Sequence, residues 1–373
     1  MKVVLISHSY IPEINQQKLE KISEYNDVDL YLITPQKWKH KLKTYSIEYP
    51  QTKNYEIIPK RTLMTIKGRL YFFPSLTKEI REIKPDIIHI EEEPWSLSCF
   101  QAMRAKKISK SKTLFFTWEN IYKNFFFPFS LIEKYNLKHA DFAITGNQDA
   151  KEILKKKGFQ KSIEVLPQLG VDPEIFKKQD ASHLNERLNL NSFVIGFIGR
   201  LVWEKGLLTL IEAASKLDQQ DYNILIVGRG ELKADIINLA EKLGISNKIR
   251  FVDTVPHSEV PDYLNCMDVL VLPSVTTKKW KEQFGHVLIE AMACEVPVIG
   301  SNSGEIPKVI GDAGLVFQEK NAKDLSEKLS TIVQDEKLRR KLAKEGRKQI
   351  LENYTWKRIA GDTHKVYQHL INH

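Results

Sequence analysis

Short apolar runs alternate with amphipathic stretches along the chain. In the first half, Val28–Ile33, Asp86–Ile90, Thr113–Thr117, Phe142–Thr145 and Ile163–Leu166 read as β-strands, with helical patterns such as Pro74–Ile83 and Asp149–Lys157 between several of them. The rhythm restarts with Phe193–Ile198, Asn223–Val227, Ile249–Val252, Val269–Leu272 and Val296–Ile299. Strands and helices in alternation predict βαβ units, and the restart predicts two doubly wound parallel sheets. The run Lys2 to His8 reads as a first buried strand. A polar stretch with little periodicity places the linker near 175–190. The expected domains are 1–177 and 178–353, followed by a terminal helix over 354–373 with Thr355 as its N-cap.

A length of 373 residues suits two domains, and 42% apolar residues suffice for two cores. Cys99, Cys266 and Cys294 are odd in number, widely separated and without metal-ligand spacing, which argues against a disulfide framework or zinc site and for a reducing cytoplasm. No window approaches the ~18 apolar residues of a spanning helix, and the N-terminal run is too short for a secretory signal. Net charge is +9, of which residues 1–177 carry +8 through 29 Lys/Arg and 21 Asp/Glu. Runs such as Lys37-Trp38-Lys39-His40-Lys41-Leu42-Lys43 therefore invite an anionic membrane or polyanionic acceptor. Nucleic acid is not expected, because no recognised binding motif accompanies the charge.

Glu282 and Glu290 bracket the segment Glu282-Gln283-Phe284-Gly285-His286-Val287-Leu288-Ile289-Glu290, which crosses a glycine turn and enters an apolar helix. Eight helical steps would leave the two carboxylates roughly 80° apart around an axis. One is thus expected on the loop and the other in the first helical turns, gripping two parts of one ligand. Phe284-Gly285 would present backbone N–H groups where a helix N-terminus favours a diphosphate. Gly199-Arg200 follows the apolar strand, and Lys205-Gly206 sits at the mouth of a helix beginning near Leu207. The carboxyl end of a strand in an open α/β sheet is the usual ligand position. There Arg200 can engage diphosphate oxygens through its fork and Lys205 as a compact charge.

This stretch strongly resembles the E-x7-E signature of family-4 retaining, nucleotide-sugar-dependent glycosyltransferases. The resemblance continues through Gly199-Arg200-Leu201-Val202-Trp203-Glu204-Lys205-Gly206, Val227-Gly228-Arg229-Gly230-Glu231 and Asp268-Val269-Leu270-Val271-Leu272-Pro273-Ser274. It implies the α/β GT-B fold, in which two Rossmann-like domains face each other across a cleft and the C-terminal helix crosses back to the first. It also implies that Arg200 and Lys205 stabilise the departing nucleoside diphosphate, Glu282 faces the donor sugar, and Glu290 accepts hydrogen bonds from the ribose. Gly199, Phe284, Gly285, His286 and Val287 complete the donor side, while Arg229, Gly230 and Val255 line the nucleobase pocket. The family retains anomeric configuration by front-face attack, with no carboxylate nucleophile. No cofactor or divalent metal is expected, consistent with the lack of an Asp-x-Asp donor motif.

The N-terminal half resembles the family more loosely. Where the family carries a Gly-Gly pair, the loop reads Tyr10-Ile11-Pro12-Glu13-Ile14-Asn15-Gln16-Gln17, making Asn15 the sugar-side candidate. Phe116-Thr117-Trp118-Glu119-Asn120 stands where relatives place a histidine; Glu119 is the catalytic candidate there, beside Trp118 and Asn120. Within Glu91-Glu92-Glu93-Pro94-Trp95, Glu93 is a further acceptor-side candidate, against the alternative that these acids only favour a helix N-terminus. The aromatic runs at 70–74 and 124–129 read mostly as core, with a membrane surface or acceptor groove as the other reading. The expectation is a cytoplasmic enzyme, peripheral on the inner face of the plasma membrane. It moves a hexose from a UDP- or GDP-sugar to a glycan or lipid-linked acceptor in surface polysaccharide or glycolipid synthesis. The alternative is a catalytically silent sugar-nucleotide-binding scaffold of the same fold.

Overall fold

Side chains of the first strand alternate between two faces, and both are dry. In β1 (Lys2–Ile6), Val3 and Leu5 enter one apolar cluster and Val4 and Ile6 another, so the strand is covered on both sides, as parallel sheets are. The computed structural model describes residues 1–40, 43–50, 54–66, 70–218 and 221–373. Lys41 and Leu42 of the basic run, and Lys67 and Arg69 before the first aromatic run, lie outside them. The chain forms two compact units, 1–170 with 356–373, and 171–355.

In the first unit β2 (Asp29–Pro35), β3 (Glu56–Lys60), β4 (Ile87–Ile90), β5 (Lys112–Thr117), β6 (Phe142–Thr145) and β7 (Ser162–Val165) join β1 in the order β7-β6-β5-β4-β1-β2-β3. All neighbours are parallel. Pro59 obscures β3 in the sequence, but an edge strand tolerates proline because one side of its backbone needs no ladder partner. One face is covered by helices including Leu76–Ile83 and Leu97–Ser109. On the other lie Leu19 and Ile22 of the helix Gln17–Ser23, with Ala360, Val366, Tyr367 and Leu370 of the terminal helix Trp356–Asn372. Tyr367 Oη lies 2.7 Å from His89 Nδ1, and His364 Nε2 lies 2.8 Å from Asp27, tying that helix to the unit by polar contacts as well.

The second unit contains β8 (Phe193–Ile198), β9 (Tyr222–Val227), β10 (Ile249–Val252), β11 (Val269–Leu272), β12 (Val298–Ser301) and β13 (Gly314–Phe317), parallel in the order β10-β9-β8-β11-β12-β13. β12 begins two residues later than the hydrophobic pattern predicts. Val296 N–H closes the preceding helix on Ala291 O, and Gly300 extends the strand where a side chain would strike Ile306 and Ile310. The expected linker at 175–190 is folded: Phe176 is buried, Ser182–Leu188 is helical, and Arg347 donates to the carbonyls of Pro173 and Phe176. Those bonds bring 171–177 into the second unit and set the boundary at Gly170, seven residues before the expected one.

The aromatic runs separate. Tyr71 and Phe73 are core, whereas Phe126 and Phe127 are 76% and 74% exposed. The basic run forms a hairpin of Lys37–His40 with Lys43–Ser46, its Trp38 buried and stacked on His8 at 4.4 Å.

Candidate functional site

Each sheet reverses strand order once, between β1 and β4 and between β8 and β11. Loops leaving adjacent strands at such a point diverge to opposite faces and open a crevice at the carboxyl ends. In the second unit these are the loops bearing Arg200, Lys205 and Glu282.

Glycines fasten those loops together. Gly206 ends the 3₁₀ turn Trp203–Lys205 at φ 67°, and a Cβ there would lie 1.9 Å from Pro273 O. A Cβ on Gly228 would lie 2.0 Å from Gly199 O, and one on Gly304 1.9 Å from Glu282 O. Val275 N–H donates to Glu204 O at 2.8 Å, joining the loops after β8 and β11 directly.

Within this frame Glu282 lies on the loop. Its Oε2 accepts from Lys205 Nζ at 2.6 Å and from the buried Ser274 Oγ at 2.7 Å. Lys205 Nζ also stands 5.4 Å from the Trp280 ring centroid. Arg200 is exposed and makes no ion pair among the described residues. Glu290 lies in the helix His286–Ala293, which opens after Gly285 at φ 84°. His257 Nε2 and His286 Nδ1 both contact Glu290 Oε1, at 2.8 and 3.0 Å. Burial alone would raise the Glu290 pKa, but the two histidines bring it down to about 2. Oε2 has no protein partner among the described residues.

The structure therefore brings Gly199, Arg200, Lys205, Arg229, Gly230, Val255, Glu282, Phe284, Gly285, His286, Val287 and Glu290 onto loops and one helix start at the carboxyl edge of one sheet. Phe284 is buried against Tyr354, at 5.6 Å between centroids, and supports the turn. Sequence reasoning missed the bridging of His257 to Glu290 and of Ser274 to Glu282. Ser274 lay within a segment already singled out and His257 two residues past Val255, but only folding showed what they touch.

The first unit holds its candidates in polar networks. Asn15 Nδ2 donates to Ser9 O at 2.7 Å, folding the loop after β1 onto itself. Glu119 accepts from Lys157 at 2.9 and 3.0 Å, and the same ammonium reaches Glu133 at 2.7 Å. Trp118 donates its indole N–H to Gln168 Oε1 at 2.9 Å, its ring occupying the space a Cβ on Gly146 would need. Asn120 is buried beside them in sequence. Glu91 is sealed among Lys18, Tyr10 and Gln168, at 2.6 to 2.8 Å, and Glu92 joins His8 to Tyr71. These two acids serve packing, and the partners that satisfy them were not singled out from the sequence.

Glu93 accepts from Thr117 Oγ1 and the Trp118 N–H, yet burial pushes its carboxyl up to about 7 against these bonds. An acid with a raised folded pKa stabilises the fold fully below its unfolded value near 4.5, and the contribution fades as pH rises through about 7. Glu93→Gln should therefore raise the unfolding midpoint at pH 8 relative to wild type and make no gain at pH 4.5. Thermal melts at the two values test this, and an equal shift at both would reject the protonated carboxyl.

Two doubly wound parallel units of this topology define the GT-B class. Two solved structures share the fold over nearly the whole chain: Anabaena HepE in complex with UDP (TM-score 0.77, 17% identity, 99% of this chain and 100% of that one) and Thermosynechococcus elongatus sucrose-phosphate synthase (TM-score 0.73, 19% identity, 100% and 99%). Residues 178–349 match the family model described as Glycosyl transferases group 1. Over its second unit the chain is thus similar to the group 1 glycosyl transferases, in keeping with the family-4 resemblance of its motifs. A curated relative, the capsular polysaccharide biosynthesis glycosyltransferase CapM of Staphylococcus aureus, is 31% identical over 48% of this chain and 46% of its own. The chain spans about half the length of the curated relatives it matches.

Proposed function

We propose that the protein is a retaining glycosyltransferase that moves a hexose from a UDP- or GDP-sugar to a hydroxyl of a glycan or lipid-linked acceptor, without a divalent metal. The observation that carries this reading is the clustering of Arg200, Lys205, Glu282 and Glu290 at the switch point of the second sheet. Cations beside a helix start suit the diphosphate, Glu282 the sugar hydroxyls, and Oε2 of Glu290 the ribose. Positioning and charge stabilisation of the leaving diphosphate would then supply the catalysis, with the phosphate helping to deprotonate the acceptor. The family match, the CapM likeness and the UDP held by HepE support it. Asn15, Glu93, Trp118 and Asn120 remain the acceptor- or sugar-side candidates and Glu119 the catalytic one of the first unit, acting through the networks that hold them. The basic first unit is read as meeting an anionic membrane, in a cytoplasmic setting.

A thermal-shift screen against UDP, GDP, ADP and their sugar conjugates, with no added metal, tests the donor assignment. Selective binding at 100 times Kd stabilises by about 2.7 kcal/mol. The expected result is a shift with one base, lost in Glu290→Ala. No shift with any of them would sink the donor reading, and a shift without transfer or hydrolysis of the sugar would favour a silent binding scaffold.

A further inference from the structure

The exposed rings of the first unit are not among the residues gathered at the carboxyl edge of the second sheet. Phe126 and Phe127 protrude in the segment before the helix Phe129–His139, with Tyr122 49% and Leu131 55% exposed nearby in sequence. Further rings pair on the same elements: Phe126 packs on Phe129 at 5.7 Å, Trp95 on Phe125 at 5.3 Å, and Phe100 on Tyr135 at 5.0 Å. Phe100 also walls a cavity of about 670 Å³ along the helix Leu97–Ser109, lined by Phe72, Leu97, Ala105 and Ile108, with Arg104 among its lining.

Along the segment that carries the rings, the exposed charge has one sign. Between Pro94 and Ala140 the only acids are Glu119 and Glu133, both buried on Lys157, whereas Arg104, Lys107, Lys123, Lys134 and Lys138 are exposed. Among the described residues no helix is long and apolar enough to cross a membrane. The neighbouring helix Leu76–Ile83 adds two acids, Glu79 and Glu82, each ion-paired to a lysine. Protruding rings on a segment whose exposed charges are all basic suit the boundary between phospholipid head groups and acyl chains, where rings enter hydrocarbon and lysines stay with phosphates.

We propose that the face formed by the helices Leu97–Ser109 and Phe129–His139 and the preceding loop docks on an anionic phospholipid bilayer, Phe126 and Phe127 inserting and the adjoining cavity taking an acyl chain. This deepens the membrane contact of the proposed function by giving it a face and a mode, and it rests on that reading. Its occupant is argued from charge complementarity, since a neutral apolar partner would not call for basic side chains alone among the exposed charges of the segment that carries the rings.

The full chain is sedimented with vesicles of phosphatidylcholine alone and of phosphatidylcholine with phosphatidylglycerol, at low and high salt. Retention is expected on anionic vesicles and stronger at low salt. Phe126→Ser with Phe127→Ser should weaken it by about tenfold or more, as should Lys134→Glu with Lys138→Glu, while melting temperature and nucleotide-induced shift stay unchanged. If wild type is retained and the ring substitutions change nothing, the insertion face is overturned but charge-driven contact by the first unit stands. No retention on anionic vesicles overturns both. Equal retention on neutral vesicles overturns the electrostatic argument. A dimer seen by ultracentrifugation, broken by the ring substitutions and indifferent to vesicles, would assign the face to a second copy and overturn the proposal. A missing nucleotide shift with normal vesicle retention would sink the donor reading alone.

Discussion

Arg200→Ala should lower the rate of sugar transfer by about 100- to 1,000-fold, the scale of losing one preorganised group that stabilises charge in a transition state. Folding should be nearly untouched. The side chain is exposed, makes no ion pair among the described residues, and leaves the sheet at the end of β8, so its removal uncovers no buried charge. Surface changes of that kind usually stay within about 0.5 kcal/mol of wild type. Arg200→Lys should recover part of the loss, because a point charge replaces the planar fork that can hold two diphosphate oxygens at once. Lys205 is a less clean probe: removing it strips Glu282 of a 2.6 Å ion pair as well as removing a proposed phosphate ligand. Steady-state kinetics beside thermal melts decide the matter. Unchanged turnover in a folded Arg200→Ala protein would remove Arg200 from the site.

Gly206→Ala and Gly228→Ala should each destabilise the second unit by about 2–4 kcal/mol, combining backbone strain with overpacking. In both places the added methyl would stand about 2 Å from a carbonyl oxygen, of Pro273 and Gly199 respectively, and in both φ is positive, at 67° and 139°. The obstacle is backbone and cannot swing aside as a flexible side chain would. Gly244→Ala isolates the conformational part, since its φ of 71° is also left-handed but nothing lies within 4 Å of the new methyl. A cost of only about 1–2 kcal/mol is expected there. Denaturant unfolding of the three variants measures the difference. Equal losses at all three would mean that loop contact at the candidate site adds nothing to the strain.

The candidate donor residues were legible because they lie close together along the chain. Glu282, Phe284, Gly285 and Glu290 sit within nine residues, and the loop and helix-start placement expected for them is the one found. The glycines at 199, 206, 228 and 230 follow apolar strands or precede helices, so their positions at a sheet edge could be read from periodicity alone. The first unit was far less legible. Lys157 meets Glu119 from 38 residues away, and Lys18 meets Glu91 from 73 residues away. No spacing rule joins such pairs, and a lone Lys in a charged sequence carries no mark that it will be buried.

By itself the sequence determined the alternation of strand and helix, the two parallel sheets and the grouping of the candidate donor-side residues, because periodicity and turn chemistry act over a few residues at a time. The tertiary structure alone decided which charges are neutralised, where the first unit ends, and which aromatic rings face water. Those outcomes depend on which distant segments share a face: Phe73 reaches the core while Phe126 and Phe127, equally apolar, protrude. Hydrophobicity states that burial is favourable, but only the packing of helices against a finished sheet settles which rings find a place beneath it.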